Sequence, residues 1–540
     1  MSRYREAVLR GRWPAAALAL FTTLAIAHTW PLGAAPGVWS RNDAPDVLLH
    51  EWIMAWVPHQ LLTDPLHLFD ANIFYPERLT LAYSDHLFLQ SMLGAPIGWA
   101  GGSPVLVHNV VLLAGFALTG WATALVVASW TGSRTAGLLS GSLIAFNACT
   151  LTRLAQMQDL HLEFFAPAMF ALDRLLVTAR TKHALELSAW FVLQALTGTY
   201  LMVFTAISMM AAAASRASEW IGARFRAVAP RVLLSAVIAL LVLAPVLVPY
   251  AIVDREAGLT RSLEETARYS ADLSDYLAAA GRLHFDLWSR RYWQGDGLFP
   301  GVGALLLTIA ALVTGVAFND RRARMALAIG LTAFALSFGP AFPPYRWLYT
   351  VFPPLAGIRG AVRFGQIALA AIAILAGFGL SALLPRLSRR AGLAMAVAFI
   401  VLVNVEAFRA PLGYTPYTGI SKLYDLLART GDDTVVVCFP FYPSASFHLN
   451  TPFMLASTRH WKPMVNGYSG FKPASLHINA DALRDFPDAR SIARLHEIGV
   501  THVVVNSRLM PQAPTERIPE FPELQMLFVD GYLRLYALHK

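Results

Sequence analysis

The stretch NDAPDVLLHEWIMAW, residues 42–56, decides how this chain is read. Across it and just beyond, Leu48, Leu49, Trp52, Ile53, Trp56, Leu61 and Leu62 recur at helical spacing, with His50, Glu51 and His59 on other faces. The pattern predicts an amphipathic helix lying along a membrane interface, its tryptophans at headgroup level. Asp43 and Asp46 stand where a loop turns into this helix, at the end where the helix dipole favours anions. Aspartate ahead of a helix is also a common N-cap, so a capping role and a chemical role are both open for the pair.

A second polar cluster, YSDH at 83–86, follows ANIFYPERLTLA, and the two clusters bound a large loop, 33–103. Pro76 with Phe74 and Tyr75 marks a turn, and Asp85 is expected to cap a helix over 87–97. Asp85 and His86 are a carboxylate and imidazole of the kind that hold a divalent metal, or an exposed cap beside an interfacial histidine.

Composition sets the solvent. Of the 540 residues 56% are hydrophobic and 14% charged, with a mean hydropathy of +0.49. Soluble domains carry about 25% charged residues, so this is a membrane protein. The net charge of +9 comes from arginines gathered in short loops between apolar runs, which is the positive-inside signature and argues against nucleic acid as a partner. Cys149 and Cys438 have no CxxC or histidine-spaced partner and read as small buried hydrophobes.

Apolar runs cover 14–32, 104–130, 136–149, 160–178, 184–214, 231–253, 298–318, 325–338, 364–384 and 391–408. The block 184–214 is too long for one crossing and breaks at Thr197-Gly198-Thr199, so the expectation is about 11 spans. The first run follows Arg3, Arg5, Arg10 and Arg12 and reads as a signal anchor longer than a cleaved leader. Later arginines fall in alternate short loops, which places the N-terminus in the cytoplasm and the region after 409 outside. The predicted fold is mainly α: a polytopic transmembrane helical bundle (1–409) with outer loops 33–103, 254–300 and 339–363, and a C-terminal exoplasmic α/β domain (410–540). In that domain TVVVCFP (434–440), THVVVNS (501–507) and FVDGYLRLYAL (528–538) read as strands, without a nucleotide-binding or serine-elbow motif.

Three outer segments carry further candidates. Arg153 precedes QMQDLHLEFFAP, where Asp159, His161 and Glu163 lie close together; they are candidate metal or substrate contacts, or partners that satisfy one another. Tyr269, Tyr276, Trp288, Tyr292 and Trp293 suit either sugar faces or an interfacial belt. Arg359 and Arg363 oppose the positive-inside bias; a guanidinium fork matches a phosphate, and headgroup snorkelling is the alternative.

Asp46, the aliphatics after it, Trp52 and Trp56, followed by NIFYPERLTLAYSDH, resemble the first exoplasmic loop of bacterial YfhO-like and related GT-C superfamily proteins. So do RYSADLSDYL (268–277), LFPG (298–301), R-x-x-x-R-F at 359–364 and HWKPMVNGYSGFKP (460–473), the last either a tight turn or a lid. GT-C enzymes are polytopic glycosyltransferases that take sugars from polyprenyl-phosphate carriers at the outer membrane face. The oligosaccharyltransferases, protein O-mannosyltransferases and lipid A aminoarabinose transferases share an acidic residue in the first loop. Carried over by position, that residue is Asp46, with Asp43 second. The second outer loop of such enzymes supplies an acidic or metal-associated residue, which Asp159 and His161 match in location.

The resemblance implies a hexosyl- or pentosyltransferase of the cytoplasmic membrane with a polyprenyl-phosphate sugar donor. Asp46 would act as general base, and Arg359, Arg363 and Arg153 with Tyr269 and Trp293 would bind the lipid phosphate and substrate. A divalent metal at Asp85, His86, Asp159 or His161 is the candidate cofactor. Two other classes compete: a transporter or flippase for a lipid-linked substrate, against which no internal repeat is visible, and a non-catalytic GT-C-like glycan-assembly protein.

Overall fold

The computed structural model describes residues 11–295 and 297–539, so Arg3, Arg5 and Arg10 of the anchor reading lie outside the described residues. Long apolar runs satisfy their backbone internally as helices, the form available to a chain in lipid. In chain order these are α1 (Trp13–His28), α2 (Pro45–Thr63), α3 (Phe88–Trp99), α4 (Pro104–Thr131), α5 (Arg134–Ala145), α6 (Phe165–Thr178) and α7 (Thr181–Ala195). They continue with α8 (Thr199–Ala214), α9 (Phe225–Ala257), α10 (Val302–Val313), α11 (Arg321–Ser337), α12 (Phe364–Leu383) and α13 (Arg389–Ala407). Among the described residues, five segments are long and apolar enough to cross a membrane: α4, Arg134–Thr152, α9, Ala361–Arg386 and α13; α1, α8 and α10 are shorter and apolar. The break in the 184–214 block falls at Gly198, between α7 and α8.

The chain forms two compact units. The first gathers residues up to Pro36 with Asn109–Pro245 and Thr260–Gly413. Its core is organised on α12, buried along almost its whole length. Small residues permit this: a Cβ at Gly379 would collide with the Leu307 carbonyl of α10. Near the arginine-rich loops a buried carboxylate draws three helix ends together. Asp173 of α6 accepts hydrogen bonds from Arg216 Nη1 at 2.7 Å and Arg322 Nε at 2.8 Å. The Arg216 guanidinium is itself fully buried and also bonds Glu219 at 2.6 Å. A lone charge there would be expensive; an interlocked set is tolerated.

The second unit gathers Gly37–His108, Val246–Leu259 and Tyr414–Lys540. Residues Trp39–Ser40 (β1) pair antiparallel with Thr415–Pro416 (β2). Four further strands, β3 (Val436–Phe439), β4 (His502–Asn506), β5 (Leu524–Asp530) and β6 (Leu533–Leu538), form a sheet in the order β3-β4-β6-β5. β3 and β4 are parallel, and the other neighbours are antiparallel. Val503, Val504 and Val505 are fully buried, as a strand covered on both faces requires.

Beyond β3 the sheet is extended by irregular chain. Val436 N–H bonds the Pro463 carbonyl and Val465 N–H bonds the Val436 carbonyl, both at 2.9 Å. The first loop continues this: Met464 N–H bonds Asn72 O at 3.0 Å, Tyr75 N–H bonds Met464 O at 2.9 Å and Phe74 N–H bonds Asn466 O at 3.2 Å. Asn466, fully buried, substitutes for missing backbone partners by accepting from Cys438 N–H at 2.7 Å and donating to Cys438 O at 2.9 Å. At Gly467 an added Cβ would lie 2.6 Å from the Phe74 ring, so this glycine is what lets the two segments meet.

The interfacial helix expected at 45–63 is a core helix instead. Val47 to Met54 and Trp56 to Pro58 are all buried. Trp52 donates from Nε1 to Asn72 Oδ1 at 3.3 Å, and Trp56 from Nε1 to the Leu68 carbonyl at 3.0 Å. The first loop itself supplies both partners, which removes the two indoles from any headgroup layer.

Candidate functional site

Asp46 sits in the first turn of α2, whose N-cap is Ala44 and whose first position is Pro45. Proline suits that position, because its missing N–H is one the helix would leave unsatisfied. The N-cap position belongs to Ala44, so Asp46 is a first-turn residue and not the N-cap itself. Tyr468 donates from its hydroxyl to Asp46 Oδ1 at 2.8 Å. Tyr468 is oriented in turn: its ring lies 4.9 Å from Phe447 and its N–H points to Met454 Sδ at 3.0 Å. The segment 460–473 therefore delivers a hydroxyl to the half-buried carboxylate at the start of α2.

Asp43 is exposed and ion-paired with Arg41 at 3.1 Å, a local surface contact. His86 is buried, and its Nδ1 accepts the Phe88 N–H at 3.1 Å at the start of α3. Burial pushes the imidazole down to about 4, against the Asp85 carboxylate that would raise it, so the ring is neutral at pH 7. The preceding turn is braced by the Tyr250 hydroxyl, which donates to the Ser84 carbonyl at 2.6 Å.

In the first unit, Arg153, Asp159, Tyr200, Tyr269, Arg359 and Arg363 come together. Asp159, buried, lies between two guanidinium groups: Arg153 Nη1 is 3.3 Å from Oδ2, and Arg363 Nη1 is 3.5 Å from Oδ1. Gln366 donates its side-chain amide to the Asp159 carbonyl. Arg363 also lies over the Tyr200 ring, 4.7 Å from its centroid, and Arg359 over Tyr269 at 4.9 Å. The Tyr200 hydroxyl accepts the Arg359 backbone N–H at 3.0 Å, which fixes the loop that carries both arginines. Two guanidinium groups share one carboxylate, and Arg359 lies over Tyr269 and stays exposed, so the cluster keeps positive charge for an anion.

His161, fully buried, is committed to Glu163 Oε1 through Nδ1 at 2.8 Å, and Glu163 approaches Thr119 Oγ1 at 3.4 Å. The mutual pairing read as an alternative is the arrangement found. Among the described residues no group of three or more His, Cys, Asp or Glu is placed to hold a metal. Asp159 already faces two arginines, so the residues present do not make a metal centre there. Trp293 packs edge-on against Phe285 of its own loop at 6.1 Å, and Tyr276 bonds Ser337 at the end of α11 at 2.8 Å.

Sequence reasoning missed three positioning groups. Tyr468 lay inside the segment 460–473, read as a tight turn or a lid with no role for the tyrosine itself, and its partner is 422 residues away. Tyr200 comes two residues after Gly198, a signal that it sits near a turn, but nothing in the sequence ties it to Arg359. Gln366 is one polar residue in an apolar helix, a departure that does invite a question.

No protein-family model matches the chain, and no curated protein matches its sequence. Its fold matches solved structures. With arabinofuranosyltransferase AftD from Mycobacteria the TM-score is 0.64 at 14% identity, over 98% of this chain and 40% of that one. With the oligosaccharyltransferase of Archaeoglobus fulgidus in the apo form it is 0.50 at 12% identity, over 93% and 70%. The chain thus spans about two fifths of the length of AftD and shares its fold with these two structures.

Proposed function

We propose that this chain, built on the GT-C fold, is a membrane glycosyltransferase that moves a sugar from a polyprenyl-phosphate-linked donor to a lipid, glycan or protein acceptor at the outer face of the cytoplasmic membrane. The reading includes about 11 crossings over 1–409, an exoplasmic α/β region over 410–540 and a place among YfhO-like proteins. The observation that carries it is the Asp46 carboxylate, oriented at the start of α2 by the Tyr468 hydroxyl. Asp46 removes the proton of an acceptor hydroxyl as that oxygen bonds to the anomeric carbon. The bond from that carbon to the phosphate oxygen breaks, and the lipid phosphate leaves with the electron pair. Arg359 and Arg363, assisted by Arg153, bind such a phosphate in bidentate fashion.

The test is transfer by the purified protein from short-chain polyprenyl-phosphate sugars, scored against Asp46→Asn. A loss of product with retained donor binding supports the assignment, and undiminished transfer by the variant rejects it.

A further inference from the structure

Glu51 is fully buried on α2, five residues past Asp46, and neither carboxyl oxygen has a hydrogen-bond partner. It lines a cavity of about 650 Å³ inside the second unit. Walls come from Met54, Pro58 and His59 of α2, Gly98 and Trp99 at the end of α3, and Thr458 to Trp461 of the tail. A buried polar group left without a partner in a native fold calls for an explanation. A cavity of this size, mostly apolar with a few convergent polar groups, has the dimensions of a small-molecule site.

Two backbone features shape it. Trp461 holds φ at +57°, a left-handed conformation that is a true outlier for a bulky residue and is typical of functional positions. That turn lays its indole flat on His59, with centroids 4.1 Å apart and planes within 9°. Pro58 has no N–H to give the Met54 carbonyl, which leaves the helix an acceptor at the cavity wall.

The polar groups here are uncharged at neutral pH apart from Arg459. Burial raises the Glu51 carboxyl to about 8, with the Asn42 amide offsetting part of this without reaching hydrogen-bond geometry. Burial also lowers His59 and raises Tyr417, which lines the cavity as well. A protonated carboxyl both donates and accepts, as a hydroxyl ligand needs. Arg459, paired with Asp425 at 3.4 Å, stands against a cationic guest at the same wall.

We propose that this cavity binds an uncharged saccharide unit, with a ligand hydroxyl exchanging hydrogen bonds with Glu51 and its apolar face against the aromatic wall of Trp461. A pyranose or furanose ring combines C–H faces with hydroxyls and matches both halves of the lining. The site does not depend on Asp46 being a base.

The full chain in nanodiscs of zwitterionic lipid, free of alkyl glycoside detergents, is titrated with methyl glucoside, galactoside, mannoside and arabinofuranoside by saturation-transfer NMR. Glucosamine and glucuronate are the charged comparisons, and octyl glucoside tests a lipid-linked source. The neutral glycosides are expected to bind in preference to both charged sugars. Glu51→Gln should stay within a few-fold of the parent, and Glu51→Leu should weaken binding at least tenfold. Ala55→Phe, which fills the cavity and leaves the carboxyl in place, should do the same if Glu51→Leu does not fold. No binding by the parent, equal binding by Glu51→Leu or Ala55→Phe, or a preference for glucosamine each overturns the proposal.

Discussion

The hydroxyl of Tyr468 donates a 2.8 Å hydrogen bond to Oδ1 of Asp46, joining the start of α2 to a glycine-flanked turn 422 residues later. A base must face one direction to take a proton, and this bond restricts the carboxylate's rotation. Tyr468→Phe removes the hydroxyl and keeps the ring. Its expected effect is about a tenfold lower kcat with KM near the parent value, against about 10²–10⁴-fold for Asp46→Asn. Steady-state transfer from a short-chain polyprenyl-phosphate sugar reads both, and equal losses for the two variants would show that Tyr468 has another role.

Arg363 and Arg153 flank Asp159, so the two arginines are not equivalent to the exposed Arg359. Arg359→Ala should weaken binding of a polyprenyl phosphate about tenfold and leave the melting temperature unchanged. Asp159→Asn leaves two guanidinium groups without their shared counter-ion and should lower stability by about 3–5 kcal/mol. Lipid-phosphate titration and thermal unfolding, run on both variants, separate the two effects.

Asp173 holds the buried Arg216 and the end of α11 at 2.7 and 2.8 Å. Asp173→Asn is expected to cost about 3–5 kcal/mol, because a guanidinium stays buried with less counter-charge. The loss should appear in unfolding experiments without any change in Asp46-dependent chemistry.

Glu51 gives the fold a pH dependence of definite sign. Its carboxyl is raised to about 8 by burial, while an unfolded glutamate titrates near 4.5. Below that lower value both states are protonated and its contribution is fully present; it is lost as pH rises through about 8. Relative to the parent, Glu51→Gln should therefore gain stability as pH rises from about 5 to about 8, by the equivalent of a few kcal/mol, because the opposite slope from buried histidines such as His86 and His460 is common to both proteins. A melting-point difference between the two proteins that does not change over this range contradicts the burial of a neutral carboxyl.

Much of the helical scaffold was legible because apolar runs of span length and the glycine at 198 are local signals. Two tail strands, β3 and β4, were legible from β-branched runs, and Val503, Val504 and Val505 are buried as such runs require; the single strand expected over 528–538 is instead the end of β5, a turn at Gly531 and Tyr532, and β6, antiparallel to it. What misled was α2. Trp52 and Trp56 occur with the spacing of an interfacial helix, yet their indole N–H groups bond Asn72 and Leu68 inside a core. Periodicity records which residues are apolar, not what buries them. Arg363 raised the opposite problem: its position announced a charge out of place, while its partner Asp159 lay two hundred residues earlier with no sequence link. Tyr468, Tyr200 and Glu51 gain meaning only from long-range neighbours, so no local pattern could rank them.

The bonds between Asn72–Tyr75 and the 464–466 strip also fix a timetable. The Asn72 amide donates to Ser457, 385 residues further on, and the two cannot meet until that much more chain has been made. At about 5–20 residues per second the interval is about 20–80 s. Through it the first loop carries Trp52, Trp56 and Phe74 with no core to enter, so a nascent chain would need a holding chaperone or a lipid surface until its last quarter arrives.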